Sequence, residues 1–180
     1  LLRLVVDDPD LEVQRALIEQ VFKDLPLIPS RETLNNEELR KLADRAETNI
    51  RRNGQLREIT FHIVSDNRSN TDVRQRLIHL AGDMNDRRAV PFLISAMSDT
   101  NFVDRDDAAY ALGNLGDPRA IEPLSRMLRS RSRTRLQTAQ LHTAATSALF
   151  RIGTPEALAV ARRRKSWWAR GSRNPLRYLG

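Results

Sequence analysis

From Thr71 to Ala161 apolar residues recur three and four apart, and short polar turns carrying Asp, Gly or Pro interrupt them at regular intervals. That spacing gives a helix one buried stripe, and it predicts Leu77 with Ile78, Ala108 with Ala109, and Ala145 with Ala148 as interior positions. The turns carry matching start and stop signals. Asp86, Asp117 and Thr154 each offer a side-chain oxygen to the free N–H groups of a starting helix, and Pro118 and Pro155 stand where a missing N–H costs nothing. Gly82, Gly113, Gly116 and Gly153 fall at or near the ends of the preceding helices. Only Arg57 to Val64, REITFHIV, could be read as a strand, and the spacing of Leu56, Ile59 and Ile63 suits a helix as well.

The helices repeat. Setting LAGDMNDRRAVPFL on ALGNLGDPRAIEPL, 31 residues later, aligns Arg74 with Arg105, Gly82 with Gly113, Asp86 with Asp117, Ala89 with Ala120 and Leu93 with Leu124. A third copy at a spacing of 37 places Ala145 under Ala108, Phe150 under Gly113 and Thr154 under Asp117, its six extra residues lying in the loop RSRSRTRLQ. A weaker copy near the start sets Val13 on Val73, Leu17 on Leu77 and Ile18 on Ile78 at an offset of 60, so a degenerate repeat or an insertion is expected between Pro26 and Asn70. One helix pair cannot bury its apolar face alone. Repeated pairs that stack can, and the pattern therefore predicts an all-α, right-handed or gently curved α-solenoid. Its expected parts are a degenerate region over 1–70, repeats over 71–166 and a basic aromatic tail over 167–180.

The residues of the central copy, Ala108, Ala109, Ala111 to Gly113, Leu115 to Pro118, Ala120, Ile121, Pro123 and Leu124, resemble the HEAT-like repeat of the phycobilisome lyase family. The copy before it has Arg87 in place of the turn proline, and the copy after it replaces Gly113 by Phe150. Such repeats serve both lyases and unrelated scaffolds, so the resemblance implies the fold before any activity. Kinship would imply phycobiliproteins as acidic partners. A bilin lyase or chromophore chaperone subunit is the implied alternative, with bilin propionates meeting Arg74, Arg76 or Arg105 and pyrroles meeting Tyr110.

Charge divides the chain. Residues 1–122 hold 17 Lys and Arg against 22 Asp and Glu, a net of −5, whereas 123–180 hold 13 against one, a net of +12. Arg129, Arg131, Arg133 and Arg135 alternate with Ser and Thr in the inserted loop, and Arg162, Arg163, Arg164 and Lys165 lead into Trp167 and Trp168. Arginines beside aromatics suit an interface with an anionic partner, foremost an acidic protein, with nucleic acid as a further alternative and an anionic membrane surface a third possibility. Folding of the Trp pair over the end of the stack is the structural alternative.

Catalytic chemistry is poorly represented. With no cysteine, thiolate metal sites, disulfides and thiol nucleophiles are excluded, and a reducing compartment is expected: cytoplasmic or, under the resemblance, at the phycobilisome or the stromal side of a membrane. No apolar run is long enough to span a membrane, and the absence of an initial Met suggests that residues precede Leu1. Neither the three His residues nor Ser147, His142 and Asp107 form a recognisable metal or triad motif, and no cofactor is expected. Binding is favoured over reaction. The repeat register sets Arg76 beside Asp107, His79 beside Tyr110 and Ser147, and Arg74 beside Arg105 and His142, as three exposed columns on the inner surface. For Arg74 and Arg105 the competing expectation is a ladder to the acidic turn of a neighbour. The expected partner-binding residues are Arg76, His79, Arg105 and Tyr110, with Arg129, Arg131, Arg133, Arg162, Arg163, Arg164, Trp167 and Trp168.

Overall fold

The computed structural model describes residues 11–23, 37–66, 70–100 and 104–171, without the side chains of 11, 17, 21, 37–40, 42, 43 and 164–171. The described residues hold nine α-helices and no strand. These are α1 (Leu11–Lys23), α2 (Glu37–Arg52), α3 (Gly54–Ser65), α4 (Thr71–Asp83), α5 (Val90–Ser98), α6 (Arg105–Leu115), α7 (Ile121–Arg129), α8 (Arg135–Ile152) and α9 (Pro155–Gly171). The ambiguous run Arg57 to Val64 is helical, within α3, and buries Leu56, Ile59 and Ile63 as its spacing requires.

The helices form two layers. In the first, α4, α6 and α8 lie side by side; in the second α3, α5 and α7 follow one another, with α9 against α7 and α8. At the N-terminal end α1 packs on α3 and α4, and α2 on α3. Burial supports the expected register: Leu77, Ile78, Ala108, Ala109, Ala145 and Ala148 are all fully buried. In α1 Ile18 is buried like Ile78, but Val13 is partly exposed where Val73 is buried, and the side chain of Leu17 lies outside the described residues.

The turns follow the predicted capping chemistry. Asp86 and Asp117 each accept the backbone N–H two residues on, at 3.0 and 2.9 Å, to start a short 3-10 turn that runs into α5 or α7. Thr154 accepts from the N–H of Ala157 to start α9, with Pro155 as its first residue. Gly116 and Gly153 close α6 and α8 in the left-handed region, at φ 62° and 70°, where a side chain would be strained.

Gly82 and Gly113 have another role. Although near helix ends, both are helical, and a Cβ on either would stand 2.8 or 2.7 Å from the Cα of Ala111 or Ala148. Glycine lets α4 meet α6, and α6 meet α8, backbone to backbone. At the next equivalent position stands Phe150, partly exposed, which would bar another helix from approaching as closely.

Candidate functional site

The column of Arg74, Arg105 and His142 is not on an exposed face. Arg74 and His142 are buried and Arg105 is half-buried, because each turns back to satisfy a carbonyl at the end of the preceding helix. Arg74 donates to Asp66 O at 3.4 Å, Arg105 Nε to Met97 O at 2.8 Å, and His142 Nε2 to Ser130 O at 2.9 Å. Helix ends leave such carbonyls without intrahelical partners, so one repeat position closes the same junction three times. Arg74 also supports the ladder expectation: its Nη2 is 3.3 Å from Asp104 at the start of α6, with side chains only 4% and 6% exposed. Periodicity could place this column but could not say which way long side chains would fold.

The solvent-facing residues of the first layer do meet across repeats. Gln75 donates to Asp107 at 2.7 Å, and His79 Nε2 lies 3.5 Å from the other oxygen of that carboxylate. Burial raises the pKa of Asp107, opposed by the Gln75 hydrogen bond and by His79. Arg76 is half-buried near Glu47 of α2, and burial lowers its pKa against the attraction of that carboxylate. Tyr110 packs its ring partly on the core. At the helix ends a second chain joins equivalent positions of three repeats: Arg151 donates to Asn114, and Asn114 to Asp83 at 3.4 Å. These contacts hold the repeats together. Among the described residues no group of three His, Cys, Asp or Glu could hold a metal ion.

The basic end is different in kind. Arg126 and Arg129 sit on α7 with their side chains mostly in water; both pair with Glu122, at 3.7 and 3.2 Å, and Arg129 also donates to Ser125. Arg131, Arg133 and Arg135 follow in the loop and at the start of α8, all exposed, and Arg162 and Arg163 are exposed on α9. The loop is ordered by its own polar atoms, since Thr138 Oγ1 accepts from Ser132 N and Gln137 accepts from Ser132 Oγ. Leu136, next to Arg135, is 71% exposed. Sequence reasoning missed it, although a leucine at the first turn of α8 outside the buried stripe was the available signal. Trp167 and Trp168 occupy α9, which runs to Gly171; their side chains and that of Arg164 lie outside the described residues, as does the chain from 172 onward.

A cleft opens between α5, α6 and α7. Its volume is about 160 Å³, its walls are Met97, Pro123 and Met127, and Arg105 and Arg126 stand at its edges with Ser98 and Ser130. Burial lowers the pKa of Arg105, against the attraction of Asp99. The cleft was not legible in the sequence because it lies between residues of consecutive repeats.

Residues 64–143 match the family described as HEAT repeats, which covers the two best-formed copies, and the chain carries HEAT-like repeats stacked as an α-solenoid. No curated protein matches the chain. No helix among the described residues is long and apolar enough to cross a membrane.

Proposed function

We propose that this chain is a non-enzymatic repeat scaffold whose basic end docks an acidic protein. One observation carries the reading: seven arginines, Arg126, Arg129, Arg131, Arg133, Arg135, Arg162 and Arg163, are exposed on α7, the following loop, the start of α8 and α9, and Leu136, next to Arg135, is exposed as well. Arginine is weakly hydrated and forks onto carboxylates, and an exposed apolar side chain supplies the desolvated anchor that interfaces use. HEAT-like repeats suit the role, because their stacked helices present long surfaces. On this proposal Arg164, Trp167 and Trp168 of α9 take part in the docking, and Arg76, His79 and Tyr110 are a second candidate contact on the first layer.

Within this reading, the resemblance of the central repeat to phycobilisome lyase repeats makes phycobiliproteins the first acidic partners to try. A bilin-lyase role rests on that resemblance alone, and an unchanged absorption spectrum after adding bilins to the purified protein rejects it. The docking role is tested with Trp167→Ala combined with Trp168→Ala. Partner binding should weaken by roughly 2 kcal/mol with an unchanged melting temperature; a parallel loss of stability would return the pair to a structural cap, and normal binding with normal stability would remove both roles. Steep loss of DNA or RNA binding with salt would instead favour a nucleic-acid partner.

A further inference from the structure

The cleft between α5, α6 and α7 holds a cation poised for an anion. Arg105 is the first residue of α6, and donation from its Nε to Met97 O at 2.8 Å fixes the guanidinium plane while leaving the Nη1 and Nη2 groups for another acceptor. Among the described residues no carboxylate lies within ion-pair distance of it, and Asp99, the nearest acidic influence, does not offset the burial that lowers its pKa. A second arginine stands at the same cleft. Among the described residues Arg126 is held only by an exposed contact of 3.7 Å to Glu122, of the kind worth little in water and easily exchanged.

The size of the space selects the ligand. At about 160 Å³ it is well below the roughly 300 Å³ of the smallest ordinary small-molecule pockets, so it admits one side chain and excludes a tetrapyrrole. Its walls also discriminate. Met97, Pro123 and Met127 are apolar, which suits an aliphatic stem ending in a single negative charge and opposes the burial of a phosphate dianion. We infer that the cleft is the subsite for a glutamate side chain of the acidic protein docked on the basic end. Its carboxylate accepts from Arg105 and Arg126, and its methylenes lie against Met97 and Met127. The inference rests on the docking reading, and Ser130, which lines the cleft and opens the arginine loop, joins the two surfaces.

Fluorescence anisotropy of the full chain with labelled hexaglutamate, hexaaspartate, hexaglutamine and a ten-nucleotide oligothymidylate tests it. Hexaglutamate should bind more tightly than hexaaspartate, and hexaglutamine should not bind. Arg105→Gln should weaken hexaglutamate binding about tenfold, the loss of one charge-assisted bidentate contact. Ser98→Glu should do the same by tethering a competing carboxylate beside Arg105; Ser98 is exposed, so this variant carries the test if Arg105→Gln does not fold. Arg151→Gln, away from the cleft, should bind within twofold of the wild type. Normal binding by Ser98→Glu overturns the subsite, and if replacing Arg129, Arg131 and Arg133 together by Gln then abolishes binding, the docking reading survives without it. Failure of the wild type to bind hexaglutamate overturns both. Oligothymidylate bound in its place, and lost in the two cleft variants, overturns the glutamate assignment in favour of a phosphate ligand.

Discussion

The two layers of the array meet their neighbours differently from one repeat to the next. In the first, Gly82 meets Ala111 and Gly113 meets Ala148, so helix backbones touch and no room is left between repeats. In the second, consecutive helices carry Leu93 and Met97, then Leu124 and Met127, and make far fewer contacts with one another. Small residues let α4, α6 and α8 touch, and the cleft lined by Met97, Arg105, Pro123 and Met127 lies between α5, α6 and α7. An array built this way has room to bind on its open side. The closed layer carries stability, and the open layer has space beside a half-buried cation.

The largest effect should come from placing charge in the closed layer. Ala109 is fully buried on α6, so Ala109→Asp should destabilise the fold by several kcal/mol, of the order expected for an unpaired buried carboxylate. Unchanged helical circular dichroism and melting temperature would show that the two layers are assigned wrongly. Next comes the buried junction between repeats. Arg74→Ala leaves Asp104 without its ion-pair partner and should cost about 3 kcal/mol at neutral pH. Burial already raises the pKa of Asp104 against the pull of Arg74, and a carboxylate with a raised folded pKa destabilises when ionised and ceases to do so as pH falls through that pKa. The deficit of the variant, measured by urea denaturation, should therefore be smaller at pH 5 than at pH 8; an equal deficit would remove the charge argument.

A smaller effect of opposite sign belongs to the turn entering α7. The Arg119 side-chain hydrogen bond holds the pKa of Asp117 below its ordinary 3.8, with further help from the Arg119 N–H and from Arg87. The stability this supplies is present above that ordinary value and is lost as pH falls through the lower folded one. Asp117→Asn keeps a cap and loses the charge, so it should lower stability by no more than ~1 kcal/mol, the arginines being mostly in water. Melting curves of the variant and the wild type should converge as pH falls through the lowered folded pKa of Asp117. Persistence of the gap in acid would assign the effect to the cap itself.

Much of this was legible in the sequence because local rules agree with the repeat. The register of Leu77, Ala108 and Ala145 and the caps at Asp86, Asp117 and Thr154 follow from spacing and turn chemistry alone. What escaped depends on neighbours distant in sequence. Arg74, Arg105 and His142 occupy one column, but only the packed structure shows them folded back onto helix ends. Gly113 reads as a helix-end glycine until Ala148 is placed against it, and Leu136 reads as one more apolar residue until its exposure is seen. The cleft needs side chains from three helices at once, which no single stretch contains.

The claim that backbone contact closes the first layer is tested most directly by the sign of one stability change. In an unhindered helix Gly→Ala stabilises by about 1 kcal/mol, since alanine restricts the unfolded chain and favours the helix. At Gly113 the added methyl would meet the Cα of Ala148 at 2.7 Å and its Cβ at 3.0 Å, atoms that cannot swing aside. Urea denaturation of Gly113→Ala should therefore show a loss of about 1 to 3 kcal/mol, the usual penalty for overpacking a filled interior. A gain of about 1 kcal/mol, the helix preference acting alone, would contradict the account.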